Sequence, residues 1–366
     1  MKFKCDRDAL SDALQVVQRA VSARPGIPAL SGVLMNASGD ELTLAATDLE
    51  VSVQQRLPVQ VVEEGVALVP ARLIADMVKS FEAAPVEFQA DGGQARVVCS
   101  NYEGTIRCLP AEDFPVLQEA GGTRVTVEVG AFGEAVGQVA RAASRDEARP
   151  LLTGVLLEVS REGLTMVATD SYRLAVREMT ATAEGEAKAL VPERALSEAG
   201  RAAAGEEKGE VELFLDTGSV AFRIGALTMT SRLIEGEFPP YRQLLPEDYE
   251  SRLTVPRQQL QDAVRRVGLL ARENSPVKLE FNALGVRLSS SSPDLGGAVE
   301  VVEAQYEGED LVAAFNPGYL SDGLSAASGE RVVVEVRDGL KPALVRGDGQ
   351  QFIYLVMPVK LPAPVG

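Results

Sequence analysis

The sequence predicts an α+β protein built from three copies of one unit, each copy made of two similar strand-helix-strands halves. Three observations predict it. Segments of the chain match one another at a fixed offset of 122 residues, and three such offsets span the 366 residues of the chain. Each copy then places an amphipathic helical stripe after its opening strand, and alternating apolar and polar residues succeed each stripe.

The matches share one frame. Leu30–Met35 reads LSGVLM and Leu152–Leu157 reads LTGVLL; Ala46-Thr47-Asp48 recurs as Ala168-Thr169-Asp170, and Leu68–Leu73 (LVPARL) as Leu190–Ala195 (LVPERA). The third copy has diverged further, but Leu157–Met166 (LEVSREGLTM) still aligns with Leu279–Leu288 (LEFNALGVRL). The expected domains are therefore 1–122, 123–249 and 250–366.

Short strands open the copies at KFKC, VTVEV and RLTV. Helical stripes come next: Leu10, Ala13, Leu14, Val17 and Val21 in the first copy, Phe132, Ala135, Val136 and Val139 in the second, Leu260, Ala263, Val264, Val267 and Ala271 in the third. Alternating segments such as ELTLAAT predict strands, and Val-Pro opens a second helix, as in VPARLIADMVKSF. The helix candidates are 8–24, 71–82, 131–149, 193–208, 257–272 and 317–329. Six such halves suggest an arc with helices on one face and sheets on the other, whose unpaired sheet edges would be relieved by self-association. A solenoid is the competing architecture, but its repeats run roughly 20 to 50 residues.

Composition narrows the function. The chain has no histidine and no tryptophan, 46% apolar residues and a formal charge of −17. Without histidine, Ser-His, Cys-His and His-metal chemistry is excluded. No G-x-x-x-x-G-K-[ST] loop is present, so ATP hydrolysis is not expected. Cys5, Cys99 and Cys108 lack the spacing of a zinc site or a disulfide framework and are expected to be buried thiols. No cofactor and no metal are expected. The charged N-terminus and the lack of a long apolar run predict a cytoplasmic protein with no membrane partner. The acidity argues against general affinity for nucleic acid.

The segments ATDSYRLAV, Glu235–Pro246 (EGEFPPYRQLLP), Ala111–Leu117 (AEDFPVL) and Tyr354–Leu361 (YLVMPVKL) resemble the bacterial DNA polymerase III beta subunit family, the replication sliding clamps. The resemblance implies three domains of DNA-clamp type, with helices inside and sheets outside a ring formed by a head-to-tail homodimer. It also implies a non-catalytic processivity factor that encircles duplex DNA topologically, without reading sequence. The implied partners are the polymerase III alpha subunit, a clamp-loader complex, other polymerases and mismatch-repair proteins, which insert clamp-binding peptides into a groove.

Carried over by position, that groove comprises Leu152, Thr169, Ser171, Tyr172, Arg173, Leu174, Pro239, Gln243, Leu244, Tyr319, Pro342, Leu355, Met357, Pro358, Val359 and Leu361. Family members often have Gly-His at Ser171-Tyr172 and arginine at Gln243, and the tail Pro362–Gly366 extends past their usual end. On the residues alone, Leu152, Leu174 and Leu355 read as strand core. Asp48 and Asp170 are candidate acids, though Thr-Asp after an apolar strand is better suited to a turn.

Charge offers an independent check. The six helix candidates carry a net +1, leaving −18 elsewhere. This suits helices that face DNA, and Arg24, Arg141, Arg145, Arg149, Arg201, Arg265 and Arg266 are the candidate phosphate contacts. Each reads equally as part of a solvated helix face. Ile106, Leu269 and Leu270 are the candidate dimer contacts. Two other function classes remain open: an acidic interaction scaffold without DNA, and a carboxylate-based hydrolase.

Overall fold

The computed structural model describes residues 1–22, 26–246, 248–271, 275–347 and 351–360. Each copy has one order: a strand, a helix, a run of antiparallel strands, then a second helix and three more strands. The helices are α1 (Arg7–Val17), α2 (Ala71–Lys79), α3 (Val129–Val139), α4 (Glu193–Ala204), α5 (Arg257–Gly268) and α6 (Pro317–Ala326). Asp6 caps α1 by accepting from the amide of Ala9 at 2.9 Å, and Asn316 caps α6 by accepting from Gly318 and Tyr319.

Every helix stops short of its expected end. α1 and α3 tighten into 3-10 turns at Gln18–Ala20 and Ala140–Ala142, while α4 and α5 end beside Gly205 and at Gly268. Gly205 and Gly268 weaken the ends of α4 and α5, and Val21 and Ala271, the last members of their stripes, lie beyond the helices they were expected to extend. The expected helix 131–149 is thus a helix, a 3-10 turn and a loop that carries Arg145 and Arg149.

The chain divides into two compact units, one of Met1–Gly130, Ala183–Gly185 and Arg201–Leu233, the other of the remaining residues. In the first, a five-stranded sheet runs in the order Gln60–Glu63, Lys2–Cys5, Val86–Asp91, Gln94–Cys99, Tyr102–Arg107. A nine-stranded sheet runs Thr182–Ala183, Thr123–Glu128, Glu210–Leu215, Ser219–Ile224, Leu227–Arg232, Val51–Pro58, Glu41–Thr47, Gly32–Ser38, Gly65–Pro70. Its seam is the antiparallel pairing of Met229 with Val53, which joins strands of the second copy to strands of the first.

The other unit repeats the plan. Its nine-stranded sheet runs Ala187–Pro192, Gly154–Ser160, Gly163–Thr169, Arg173–Met179, Phe352–Val356, Ala343–Gly347, Arg331–Val336, Ser251–Pro256, Gln305–Glu307. Here the seam pairs Leu174 with Leu355, joining the second copy to the third. A four-stranded sheet runs Gly296–Glu303, Gly285–Ser292, Val277–Asn282, Leu311–Phe315.

Helices cover sheet faces through the expected stripes, α1 packing on Glu41–Thr47 and Val51–Pro58 and α5 on Gly285–Ser292 and Gly296–Glu303. Leu10, Leu14 and Val17 of α1 and Leu260, Val264 and Val267 of α5 are buried, each large side chain worth roughly 1.5–3 kcal/mol. The opposite face of each nine-stranded sheet is also covered, by an extended connector. Phe114 packs on Ala45 and Leu68 in the first unit, and Phe238 and Tyr241 pack on Leu156, Val167 and Leu174 in the second. This second cover explains why the strand Glu41–Thr47 is more apolar than simple alternation requires.

Candidate functional site

The site is built on the tight turn between Gly163–Thr169 and Arg173–Met179. The Thr169 hydroxyl donates to the Arg173 carbonyl at 2.6 Å and accepts from the amide of Ser171. One Asp170 oxygen accepts from the amides of Tyr172 (2.9 Å) and Arg173 (3.0 Å). Four backbone groups that the turn would orphan are thereby paired within five residues. Ser171 takes a left-handed backbone with φ 80°. The expectation of a turn role for Asp170 is met in full, and its carboxylate is committed to structure.

Arg173, the first residue of the strand leaving the turn, carries a charge into a largely buried place. Its side chain is 11% exposed, donates from Nε to the second oxygen of Asp170 at 3.0 Å, and pairs from Nη1 with Asp322 on α6. Its guanidinium sits 4.6 Å from the centre of the Tyr319 ring, and Tyr319 stacks on Tyr172 at 6.1 Å. Burial opposes the charge on Arg173, but Tyr354, Asp322 and Asp170 outweigh it and hold the guanidinium above its ordinary basicity. Tyr354 donates to the Tyr319 carbonyl at 2.8 Å, and burial keeps that hydroxyl protonated well past its usual range.

The C-terminal strand runs alongside. Beyond the ladder, the amide of Met357 donates to the Tyr172 carbonyl at 2.8 Å and that of Val359 to the Ala314 carbonyl at 2.7 Å. The structure therefore gathers Thr169, Ser171, Tyr172, Arg173, Tyr319, Met357, Pro358 and Val359 around one turn. Tyr172, Met357 and Val359 offer exposed apolar surface there. Arg149 reaches the same turn from its loop, donating to the Asp170 carbonyl at 3.3 Å and pairing with Asp146. Its surroundings make it a brace for the turn.

Leu152, Leu174 and Leu355 are buried; Leu174 and Leu355 share one core cluster with the connector residues Phe238 and Tyr241. On the connector, Pro239 is half-buried, and Gln243 and Leu244 are exposed. Pro342 is half-buried at the start of Ala343–Gly347. Leu361 and the tail Pro362–Gly366 lie outside the described residues, as does Arg24.

The remaining candidate arginines differ in their surroundings. Arg141 and Arg145 are exposed, Arg141 donating to the Gly137 carbonyl at 2.9 Å. Arg201 is exposed on α4. Arg265 pairs with Asp262 at 2.9 Å, and Arg266 with Glu300 at 2.5 Å. Among the dimer candidates, Leu269 is 75% exposed and Leu270 half-buried, whereas Ile106 is 4% exposed. Ile106 faces inward on an edge strand, so a contact there falls to the strand's backbone. Gly296–Glu303 is also an edge, with Val299 and Val301 exposed.

Sequence reasoning missed Asp322 and Glu158. The signal for Asp322 was its i, i+3 spacing from Tyr319 on one helix face; for Glu158 it was the lone charge in GVLLEVS. Burial and Asp6 push the Cys5 thiol up to about 12, which makes it inert as a nucleophile. Among the described residues, no group of three His, Cys, Asp or Glu side chains could hold a metal ion.

Comparison with known proteins adds the lineage. Models of the N-terminal, central and C-terminal domains of the DNA polymerase III beta subunit match residues 1–118, 126–240 and 242–360. The chain is 37% identical over 374 residues to the beta sliding clamp of Streptomyces coelicolor, covering 99% of this chain and 100% of that one. It is 34% identical to the beta sliding clamp homolog GriR of Streptomyces muensis, covering 98% and 99%. Its fold matches the DnaN sliding clamp of Pseudomonas aeruginosa bound to griselimycin with a TM-score of 0.94 at 31% identity, over 99% of this chain and 100% of that one.

Proposed function

The chain belongs to the DNA polymerase III beta-subunit family, and from that premise we propose that it is a DNA sliding clamp. Two copies close head to tail around duplex DNA, and the ring tethers polymerases that dock on the turn Thr169–Arg173. Family membership along the whole chain supports the clamp role. The observation that carries the docking site is the bracing of that turn by Asp170, Asp322 and Tyr319 next to the exposed Tyr172, Met357 and Val359.

The edge strands Tyr102–Arg107 and Gly296–Glu303 are suited to pair between two chains, since each leaves one row of backbone groups open. The exposed Leu269 would lie in or beside that contact. Arg141, Arg145, Arg201 and Arg265 are suited to loose phosphate contact. The domains are proposed as 1–122, 123–249 and 250–366.

The groove's partners are proposed to be the polymerase alpha subunit, the clamp loader, other polymerases and mismatch-repair proteins in the cytoplasm, and griselimycin is proposed as a competing ligand. No helix among the described residues is long and apolar enough to cross a membrane.

Retention on DNA tests the role. The protein is loaded onto nicked circular DNA with its cognate loader, washed at high salt, and the circle is then linearised. A clamp survives the wash and leaves on linearisation, because a topological link is insensitive to salt whereas phosphate contacts weaken steeply. Loss in the wash would favour an acidic scaffold.

A further inference from the structure

The second connector is held by a cluster that the first connector lacks. Glu158 projects from Gly154–Ser160 and collects three donors: the Tyr241 hydroxyl at 2.8 Å, the Arg242 guanidinium at 3.1 Å and Lys188 at 3.2 Å. Burial alone would raise the carboxyl of Glu158, yet these three donors hold it below the usual carboxylate range. Burial and the Glu158 carboxylate push the Tyr241 hydroxyl up to about 12, so it remains a donor.

The internal repeat supplies a control within the molecule. At the same offset Glu158 corresponds to Asn36 and Lys188 to Val66, and the two pairs sit opposite each other in equivalent ladders. Aligning Phe238-Pro239-Pro240-Tyr241-Arg242 with Phe114-Pro115-Val116-Leu117-Gln118 replaces Tyr241 by Leu117 and Arg242 by Gln118. The first copy therefore keeps no member of the cluster, although both connectors keep the phenylalanine anchor. The apolar anchor suffices to hold a connector on a sheet; the polar cluster does something more.

We infer that Glu158 is a positioning residue for the docking groove: it fixes Tyr241 and Arg242, and thereby sets Gln243 and Leu244, the next two residues, at the groove's rim. The inference rests on the proposed groove. Free of the cluster, the connector would still pack through Phe238 but its exposed residues would wander. Within the cluster, the bond that the Tyr241 hydroxyl donates to the half-buried Glu158 dominates, since Arg242 and Lys188 are 74% and 60% exposed and such pairs contribute little.

Two measurements separate the inference from the groove reading. Amide hydrogen exchange over 239–245 reports the connector without any ligand, and titration calorimetry with griselimycin reports the groove. In Glu158→Ala, exchange over 239–245 should quicken about tenfold, with exchange in Gly163–Thr169 unchanged. Griselimycin affinity should fall about five- to tenfold, less than the full worth of a charge-assisted hydrogen bond because Glu158 acts on the groove only through the rim it positions. Tyr241→Phe should reproduce most of both effects, Glu158→Gln should restore part of them, and Arg242→Ala should change affinity less than about twofold.

Asn36→Glu in the first copy should leave griselimycin affinity unchanged. Unaltered exchange and affinity in both Glu158→Ala and Tyr241→Phe would overturn the clasp. Faster exchange without any change in griselimycin binding would overturn its role at the groove. If the unaltered protein fails to bind griselimycin, the groove reading falls, while exchange still decides whether the clasp exists.

Discussion

The turns at Thr47-Asp48 and Thr169-Asp170 start from the same three residues and make the same bonds. In the first, the Thr47 hydroxyl donates to the Val51 carbonyl and accepts from Leu49, and Asp48 accepts from the amides of Glu50 and Val51. Leu49 and Ser171 even share the left-handed backbone, with φ 77° and 80°. The difference lies at the residue that enters the next strand. Val51 enters as core, whereas Arg173 turns to Asp170, Asp322 and Tyr319 and ties the turn to α6. One local motif thus serves both turns, and the brace that Arg173 adds to the second depends on a helix some 150 residues away that no local rule selects.

The sharpest way to break this comparison is to make the second turn like the first. Arg173→Val takes the cation away from the buried Asp170, from the partly exposed Asp322 and from the Tyr319 ring. Stability should fall by about 3 kcal/mol, as for a broken, largely buried ion pair. Urea unfolding would read that loss, and griselimycin affinity should fall with it. The reciprocal Val51→Arg should gain no such affinity, because the exposed Tyr172, Met357 and Val359 lie beside the second turn.

A gentler perturbation acts through Tyr354. A Cβ at Gly323 would run into the Tyr354 ring, so this helical glycine exists to let the ring lie against α6. Gly323→Ala should cost roughly 1–3 kcal/mol in thermal unfolding despite alanine's better helix propensity, because overpacking outweighs propensity here. It should also loosen the Tyr354–Tyr319 bond that supports the stack. A gain in stability would show that the ring has room to move.

The smallest effect concerns the shared backbone strain. Leu49 is a bulky residue at positive φ and is 46% exposed. Leu49→Gly should relieve about 1 kcal/mol, offset in part by glycine's freedom in the unfolded chain, for a net rise in Tm of a few degrees at most. Ser171→Gly should behave alike in stability, and if it alone also alters griselimycin binding, the functional weight of the second turn is confirmed by the pair.

Much of this was legible in the chain. The order of elements comes from periodicity, and the turn bonds come from Thr-Asp after an apolar strand, since both depend on neighbours within a few residues. The groove candidates around Thr169, Arg173 and Met357 came with the family resemblance, and the structure brings them together at one turn. The stripes and the charges beside them predict longer helices than form, because 3-10 turns at Gln18–Ala20 and Ala140–Ala142 and glycine at Gly205 and Gly268 end the helices first. Ile106, a candidate dimer contact, is turned inward by strand geometry, which a single residue's apolar character does not reveal.

By itself, then, the sequence determined the threefold repeat, the succession of strands and helices, the caps at Asp6 and Asn316 and the two Thr-Asp turns. All of these rest on short-range bonding and on the spacing of apolar residues. Only the tertiary structure decided that the second copy lends strands to two different sheets, that Arg173 is braced by Asp322 and Tyr319, and that Glu158 gathers Tyr241, Arg242 and Lys188. Those outcomes depend on which distant strand edges pair and which connector covers which sheet face. The physical reason is that backbone ladders accept almost any partner sequence, so the choice among partners is made by packing of the whole unit rather than by any local pattern.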